Sequence, residues 1–526
     1  MKKICSVFLL FISSVILLSV CKNKTNSQVL SKYCLPSNEI ENILSTRELT
    51  ESKLISEMTF DDAPLFYDAD TNSWFLTISP SANDDPIVRF TDNGVPAQIA
   101  FPDHIRLVPG ESVPFFTYTA SVYTSCKLII TNIPLINIES HTTDIPKETI
   151  PMELTLYDPD SRRLITSEGT IHTRGNGSLY FPKHSFRVSL FGKEKNGKEK
   201  DFNLLELRED DDWILYAPYV DPEKVRHVFS TNLWHDSCAL KNSFGISNGL
   251  EYKWVEIFLN NRYWGLYTLG YPIDIKQQQI KITPSGNFDE FLYKQRYRGP
   301  IFNESGMIDN LILQFPGNDA DELFGFNLRK TFFTQLQSPE TVDLYINDYQ
   351  NALDSWLFMK LVQGIDNVEH IGKPVPLDIP NTMTNMLYTI KLSDAGYRFL
   401  YTPWDMDKTW GMQFGADNPL HSADPTDNGF EMSVNPVSVL LKNGDLKIAR
   451  SIQKEYKDLR GNEWSDETIE KMIDSFESDI FDSGAFERER ERWPLANYSD
   501  PQRKLDDFRQ YVHQRFASMD EYIASL

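Results

Sequence analysis

Residues 353–366 read LDSWLFMKLVQGID and residues 385–407 read NMLYTIKLSDAGYRFLYTPWDMD, and these two stretches decide how the chain is read. In the first, Leu353, Trp356, Leu357 and Leu361 recur at helical spacing, Gly364 stands where it would terminate the helix, and Asp366 follows in the loop. In the second, Asn385 opens a strand from Met386 to Ile390, and Ser393-Asp394-Ala395-Gly396 makes a turn. Arg398 to Thr402 then returns to deliver Pro403-Trp404-Asp405-Met406-Asp407. A carboxylate directly after a helix, an amide at a strand start and an acidic pair behind a hairpin are oxygen donors on rigid supports. Such groups suit a hard divalent cation and the orientation of a hydroxyl. Each alone also has a plainer reading: Asp366 caps a turn, Asn385 bonds its own backbone, and Asp405 with Asp407 are solvated loop acids or a structural Ca2+ site.

Working outward toward the N-terminus, a strand ending Ile171-His172-Thr173-Arg174 runs into Gly175-Asn176-Gly177-Ser178, and Ser185 to Leu190 follows with period two. A glycine loop between strands lets backbone N–H groups approach a phosphate, and Lys183 could neutralise it; the same Gly-Asn-Gly is equally an ordinary hairpin turn. Trp213 to Tyr216 predicts a strand, and Pro222 opens an amphipathic helix carrying Val225, Val228, Phe229 and Leu233. Trp254–Leu259 and Arg262–Leu269 predict a hairpin about Asn260-Asn261. Toward the C-terminus the chain reads as helical, with Ser465 an N-cap before the stripe Ile469, Met472, Ile473, Phe476, Ile480, and a second stripe from Leu505 to Met519. The charged run Glu487 to Arg492 predicts a solvated helix face with Trp493 packing at its end. His172, His184, His227, His235 and His370 lack metal-ligand spacing, and no nucleophile elbow or zinc motif is present.

The chain has 526 residues, enough for roughly three or four domain-sized units. With 52 basic against 75 acidic residues its formal net charge is -23, which leaves no dominant basic field to grip a phosphate backbone and argues against nucleic acid. An acidic surface instead favours a basic protein substrate or metal-mediated partners. Lys2 and Lys3 before the apolar run Val7 to Val20 read as a signal peptide over residues 1–20, too short for a membrane span. Leu18-Ser19-Val20-Cys21 resembles a bacterial lipobox, so a lipid anchor at Cys21 and a place in the cell envelope are expected, with ordinary cleavage and secretion the alternative. Residues 21–30 then form a tether, 31–134 a β-rich module and 135–526 the main body, with no transmembrane span in the mature chain. Cys34, Cys126 and Cys238 permit at most one intramolecular disulfide.

Helix, loop Asp, Asn, hairpin, Asp is also the order in which protein kinases supply a catalytic carboxylate, an amide ligand and a second acidic ligand for nucleotide-bound Mg2+. The blocks Arg174-Gly175-Asn176-Gly177-Ser178, Pro182-Lys183-His184-Ser185-Phe186-Arg187, Asp211-Asp212-Trp213, Asp221-Pro222 and Arg226 come in sequence. Val255 to Asn260, Tyr263-Trp264-Gly265-Leu266-Tyr267, Gly364-Ile365-Asp366-Asn367, Pro403 to Asp407 and Arg492-Trp493 follow. In that order they resemble the CotH kinase family, named for a bacterial spore-coat protein kinase. The resemblance implies an α+β, atypical protein-kinase-like fold with a β-rich N-lobe and a helical C-lobe. It further implies binding of ATP with Mg2+ or Mn2+ and phosphoryl transfer to protein Ser or Thr hydroxyls, here outside the cytoplasm. On it, Asp366 looks like the catalytic aspartate, and Asn385 and Asp405 like metal ligands with Asp407 beside them. Lys183 looks like a nucleotide-phosphate contact, next to Arg174, Gly175, Asn176 and Gly177, and Glu223 is the candidate for its carboxylate partner. Two departures stand out. Asn385 lies 19 positions after Asp366, with Gly372 to Thr384 looking inserted, and Gly270-Tyr271-Pro272-Ile273-Asp274 replaces the family's Glu-Lys-Ile-Asp. These departures keep open a non-catalytic surface-binding protein that takes Ca2+ or a partner, and the same ligands would serve nucleotidyl transfer equally well.

Overall fold

The period-two runs between residues 135 and 270 close into a barrel of seven strands. These are β1 (Leu135–Glu139), β2 (Ile150–Asp158), β3 (Arg163–Arg174), β4 (Ser185–Gly192), β5 (Asp212–Tyr216), β6 (Tyr252–Leu259) and β7 (Tyr263–Gly270). The computed structural model describes residues 28–526 except 31, 80–85, 104, 176, 193–198, 282–288, 296–301, 304–305, 308–310, 317–321, 337, 343, 345–346, 368, 371–384, 413–419, 427–429 and 433–434. The expected signal peptide, Cys21, Asn176 and the insertion from Gly372 to Thr384 therefore lie outside the described residues. Around the barrel the order is β1-β2-β3-β4-β5-β7-β6, and the ring closes where β6 pairs in parallel with β1, Glu256 opposite Leu135. β3 alternates, burying Ile165, Ser167, Gly169, Ile171 and Thr173. β6 is buried at nearly every position because helices cover its outer side. Asn260 and Asn261, at φ 52° and 57°, turn the β6–β7 hairpin in the double left-handed geometry that asparagine tolerates.

Between β5 and β6 runs α1 (Arg226–Ser237). It starts later than Pro222 and is not amphipathic, since Val228, Phe229 and Leu233 are buried and so are Ser230, Asn232 and Ser237 on its other faces. Pro222 belongs instead to the turn in which Asp221 Oδ2 accepts the Arg226 N–H at 2.7 Å. The hairpin predicted downstream is the edge of a second sheet, ordered β9-β8-β10-β11, with β8 (Phe291–Gln295), β9 (Leu311–Phe315), β10 (Met386–Ser393) and β11 (Gly396–Pro403). One face of this sheet packs on α2 (Glu322–Gln335), where Phe333 meets Tyr388 edge-on, and on α3 (Tyr349–Val362). α3 ends at Gln363 in the left-handed conformation, φ 55°, one residue before Gly364. A glutamine tolerates that position here because its amide is anchored, donating to the Ser422 carbonyl at 3.1 Å and accepting from the Tyr511 hydroxyl at 2.7 Å.

The C-terminal part supplies α4 (Pro436–Lys442), α5 (Leu446–Arg460), α6 (Asp466–Glu477), a π-helical turn (Ser478–Asp482), α7 (Ala485–Arg492) and α8 (Asp506–Ser525). Ser465 caps α6, as its position predicts, accepting the Thr468 N–H. The apolar stripes of these helices join the barrel residues in one continuous core. A buried amide network stitches sheet to barrel: Asn248 donates to the Tyr401 carbonyl at 2.9 Å and accepts from Gln278 at 3.0 Å. Residues 30–131 have a core of their own under a sheet ordered Phe66–Asp68, Ser73–Thr77, Val122–Thr131, Ser112–Tyr118, Gln98–Ala100, with a helix at Ser37–Ser45. Phe66 and Phe75 of that unit pack with Leu135, Tyr157, Phe258 and Tyr263 of the barrel. The whole is α+β, and among the described residues no helix is long and apolar enough to cross a membrane.

Phe258 is fully buried at this junction, edge-on to Phe75 with ring centroids 5.0 Å apart. Phe258→Ala is expected to destabilise the protein by about 3–5 kcal/mol through lost burial and the cavity left behind, seen as a lower urea midpoint with unchanged slope.

Candidate functional site

The site forms where the second sheet meets α1 and the end of β3. The left-handed Gln363 turns the chain out of α3, and buried Ile365 is held by its N–H to the Lys408 carbonyl at 3.1 Å. Asp366 then stands half-buried at the surface of the seam. Asn385, 19 positions on, is joined to it twice: its backbone N–H donates to the Asp366 carbonyl at 2.8 Å and its side-chain amide to Asp366 Oδ2 at 2.9 Å. Because the NH2 group is committed to Asp366, the amide oxygen is the atom left to ligate a cation. Asn367, 2 % exposed, braces both strands by donating to the carbonyls of Asn385 at 2.6 Å and Trp404 at 2.7 Å.

Asp405 follows β11 with φ 57°, a left-handed conformation that costs a non-glycine residue about 1–2 kcal/mol. The bond that holds it comes from α1: the Met406 N–H donates to His227 Nδ1 at 3.0 Å. Nδ1 must therefore be the acceptor, and the ring proton lies on Nε2. Burial pushes His227 down to about 4 against the pull of Asp405, so the ring is neutral, and its Nε2–H meets no acceptor among the described residues. Tyr216 and Tyr252 stack on the same ring with centroids 4.1 and 5.0 Å away. Further along, Trp410 Nε1 and Thr409 Oγ1 both reach Ser230 Oγ at 2.9 Å, fixing the loop to α1 a second time.

Asp407 sits behind Asp405, and its carboxyl is pushed up to about 7, first by burial and then by repulsion from Asp405 and from Asp221. Carboxylates crowded in this way ionise together readily only when a cation joins them. Two cations lie in the same surroundings. Arg174, at the end of β3, lies over the Trp404 ring at 5.6 Å, and Lys294 on β8 interacts with both Asp405 and Arg174. Gly175 follows Arg174 at φ 111°, where a Cβ would lie 2.0 Å from Ser178 Oγ, so the tight turn requires glycine. Gly177 opens a short 3-10 helix to Tyr180.

The structure ties Asp366 to Asn385, so the inserted residues do not part them, and the backbone bond from the Trp404 N–H to the Asn385 carbonyl at 3.2 Å sets that pair beside the strand end that leads into Asp405 and Asp407, with Arg174 over the Trp404 ring. Lys183 is placed differently. Its ammonium is wholly shielded, ion-paired to Glu489 at 2.6 Å, bonded to the Leu266 carbonyl and 4.3 Å from the Tyr267 ring. A phosphate contact from Lys183 would need that pair to open. Its partner is not Glu223, which is bound to Arg226, and the run Glu487 to Arg492 is solvated on one side only: Glu487, Arg490 and Glu491 reach solvent while Glu489 is buried. α7 buries Glu489 and turns Arg488 onto Glu256 at 2.8 Å, because β7 bulges at Gly265 and leaves the Leu266 N–H and carbonyl to be satisfied by α7 and Lys183. Trp493 packs edge-on against Trp264, as its position after the helix predicts. Tyr271, in place of the family's acidic residue, is buried under Arg208, 4.7 Å from its ring. His227 and Lys294 carry no sequence signal, since a histidine in an apolar helix reads as packing and FLYKQ reads as any short strand. A separate acidic group, Asp201, Asp210 and Asp211, already holds the Lys276 ammonium.

Fold and site together define an α+β protein in which Asp366, Asn385, Asp405 and Asp407 are carried by neighbouring strand ends and loops between the second sheet and α1. Residues 171–305 and 335–519 match the family described as CotH kinase protein, more than half of the chain, and the chain belongs to that family. Every residue of the cluster lies within the matched segments, and residues 31–134 lie outside them. No curated protein matches the chain.

Two outcomes follow. Lys183→Met or Glu489→Leu alone should each cost about 3–5 kcal/mol by stranding a buried charge, while the double variant recovers most of it, measured by chemical denaturation. For Asp407, the folded protein holds a proton that the unfolded chain releases near pH 4, so this carboxyl's contribution falls as pH rises from about 4 through about 7 and stays lost above. In chelator-treated protein Asp407→Asn should therefore melt higher than the unaltered chain at pH 8 and match it at pH 4; equal melting at pH 8 refutes the assignment.

Proposed function

We propose that this CotH-family chain is an atypical protein kinase of the bacterial cell envelope, anchored by lipid at Cys21 or secreted, that transfers phosphate from ATP to Ser or Thr hydroxyls of a protein substrate. The observation that supports the reading is the Asp366–Asn385 hydrogen bond, made although an insertion separates the two in sequence, next to the strand end that leads into Asp405 and Asp407. In this reading the barrel is the β-rich lobe and the second sheet with its helices the other. Asp366, half-exposed and oriented by Asn385, accepts the proton of the attacking hydroxyl. The Asn385 amide oxygen with the Asp405 and Asp407 carboxylates would hold Mg2+ or Mn2+, which supplies charge neutralisation on the transferred phosphate. Arg174 and the backbone at Gly175 and Gly177 bind phosphate oxygens, with Asn176, which lies outside the described residues, the third member of that set. The net charge of -23 steers basic substrates toward the molecule.

The sealed Lys183–Glu489 pair favours a second reading, in which the same carboxylates bind Ca2+ without nucleotide and the chain is a surface-binding protein. Thermal melting separates the two. Under the kinase reading ATP with Mg2+ or Mn2+ raises the melting temperature and Asp405→Ala abolishes the shift. Asp366→Ala should keep the shift and lower transfer of radiolabelled phosphate by about 10²–10⁴-fold. A shift with Ca2+ alone, indifferent to millimolar ATP, would establish the second reading.

A further inference from the structure

We propose that Lys294, and not Lys183, is the lysine that contacts phosphate in this site, and that the Lys183–Glu489 pair is a strut joining α7 to the barrel. The inference rests on the nucleotide-binding reading above.

Placement is the first argument. Lys294 lies directly opposite Leu387 in the antiparallel β8–β10 ladder, so the two side chains share a face of the sheet. Asn385 is two residues before Leu387 and belongs to that face. The same face continues through Thr389 and Lys391, which bond Gln278 in the segment that leaves the barrel, while Tyr388 on the other face packs on α2. Lys294 therefore projects from the barrel side of the sheet, in the row beside Asn385, into the seam where Asp405 and Arg174 meet.

Pairing is the second. Among the described residues Lys183, Lys391, Arg226 and Arg488 are shielded against carboxylates, while the buried Lys224 and Arg515 are satisfied by backbone carbonyls. Lys294 is largely buried too, enough for desolvation to lower its pKa, yet it has no ion pair among the described residues. Its charged neighbours are one carboxylate, Asp405, and one cation, Arg174. One carboxylate shared by an ammonium and a guanidinium leaves an excess of positive charge, and a phosphate bound between the two cations would balance it. The unpartnered Nε2–H of His227 belongs to the same surroundings, since His227 also senses Asp405 and Arg174. An ammonium on a flexible stem suits a phosphate that must be gripped and released, whereas Lys183, sealed between a carboxylate, a carbonyl and an aromatic ring, is built to stay.

Calorimetric titration of the purified protein with ATP in the presence of Mg2+ tests this, with adenosine as the ligand that lacks phosphate. Lys294→Met is expected to weaken ATP binding by about 10–30-fold and Lys294→Arg by less than threefold, with adenosine binding the same in all three proteins. Lys294→Met should also melt within about 2 °C of the unaltered chain, because no carboxylate loses its partner. Unchanged ATP affinity in Lys294→Met overturns the assignment and leaves the nucleotide reading intact. No ATP binding by the unaltered protein at millimolar ligand overturns both.

Discussion

A single charge pair, Lys183 with Glu489, fixes how the two halves of this molecule meet. Neither side chain has any exposure, so each charge is tolerable only because the other is there and because the remaining hydrogen-bonding capacity is met. Glu489 meets it by accepting the Leu266 N–H at 2.9 Å with its second oxygen. That arrangement depends on Gly265, where a Cβ would lie 2.4 Å from the carboxylate and where φ is 126°. The bulge in β7, the glycine that permits it and the charged helix that fills it are one device. Arg488 extends it through Glu256 to the Tyr263 hydroxyl, 2.7 Å from that carboxylate, and so to the junction with the N-terminal unit.

With barrel and helices locked, the seam between them becomes a place where strain and charge can be held. Asp405 keeps a left-handed backbone and Asp407 a repelled carboxyl in one loop pinned to α1, and His227 on α1 keeps a donor without an acceptor among the described residues. A surface loop would relax these features by turning into water. Here the bonds from Ile365, Met406 and Trp410 prevent it, and the loop's path is set by the protein's own hydrogen bonds.

Much of the site was legible because its parts are local. The β10–β11 hairpin shows in alternation and turn chemistry, and Asp366 shows by following an apolar helix. Asn385 was harder, because residue counting treats the inserted stretch as displacement. In space the ends of that stretch are tied by two hydrogen bonds between Asp366 and Asn385, and what lies between pinned ends can lengthen at little cost. The partner of Lys183 was illegible for the opposite reason. A run such as Glu487 to Arg492 reads as solvent-facing on composition, and only the bulge in β7, 223 positions away from Glu489 along the chain, makes one of its acids a core residue. The parallel closure of β6 on β1 gave no local signal either, since each strand alone fits any antiparallel neighbour.

That closure sets the order in which the protein can become itself. β1 leaves the ribosome with one edge that stays open until β6 has been made, and Lys183 is committed to the interior long before Glu489 exists to neutralise it. Growing chains therefore carry an unfinished ring until β7 has been made, and an uncompensated Lys183 over the 306 positions that separate it from Glu489. Quality control of this fold is concentrated there: a chain that fails to seat α7 keeps a solvated lysine and an unclosed seam, and both expose it to proteases and chaperones.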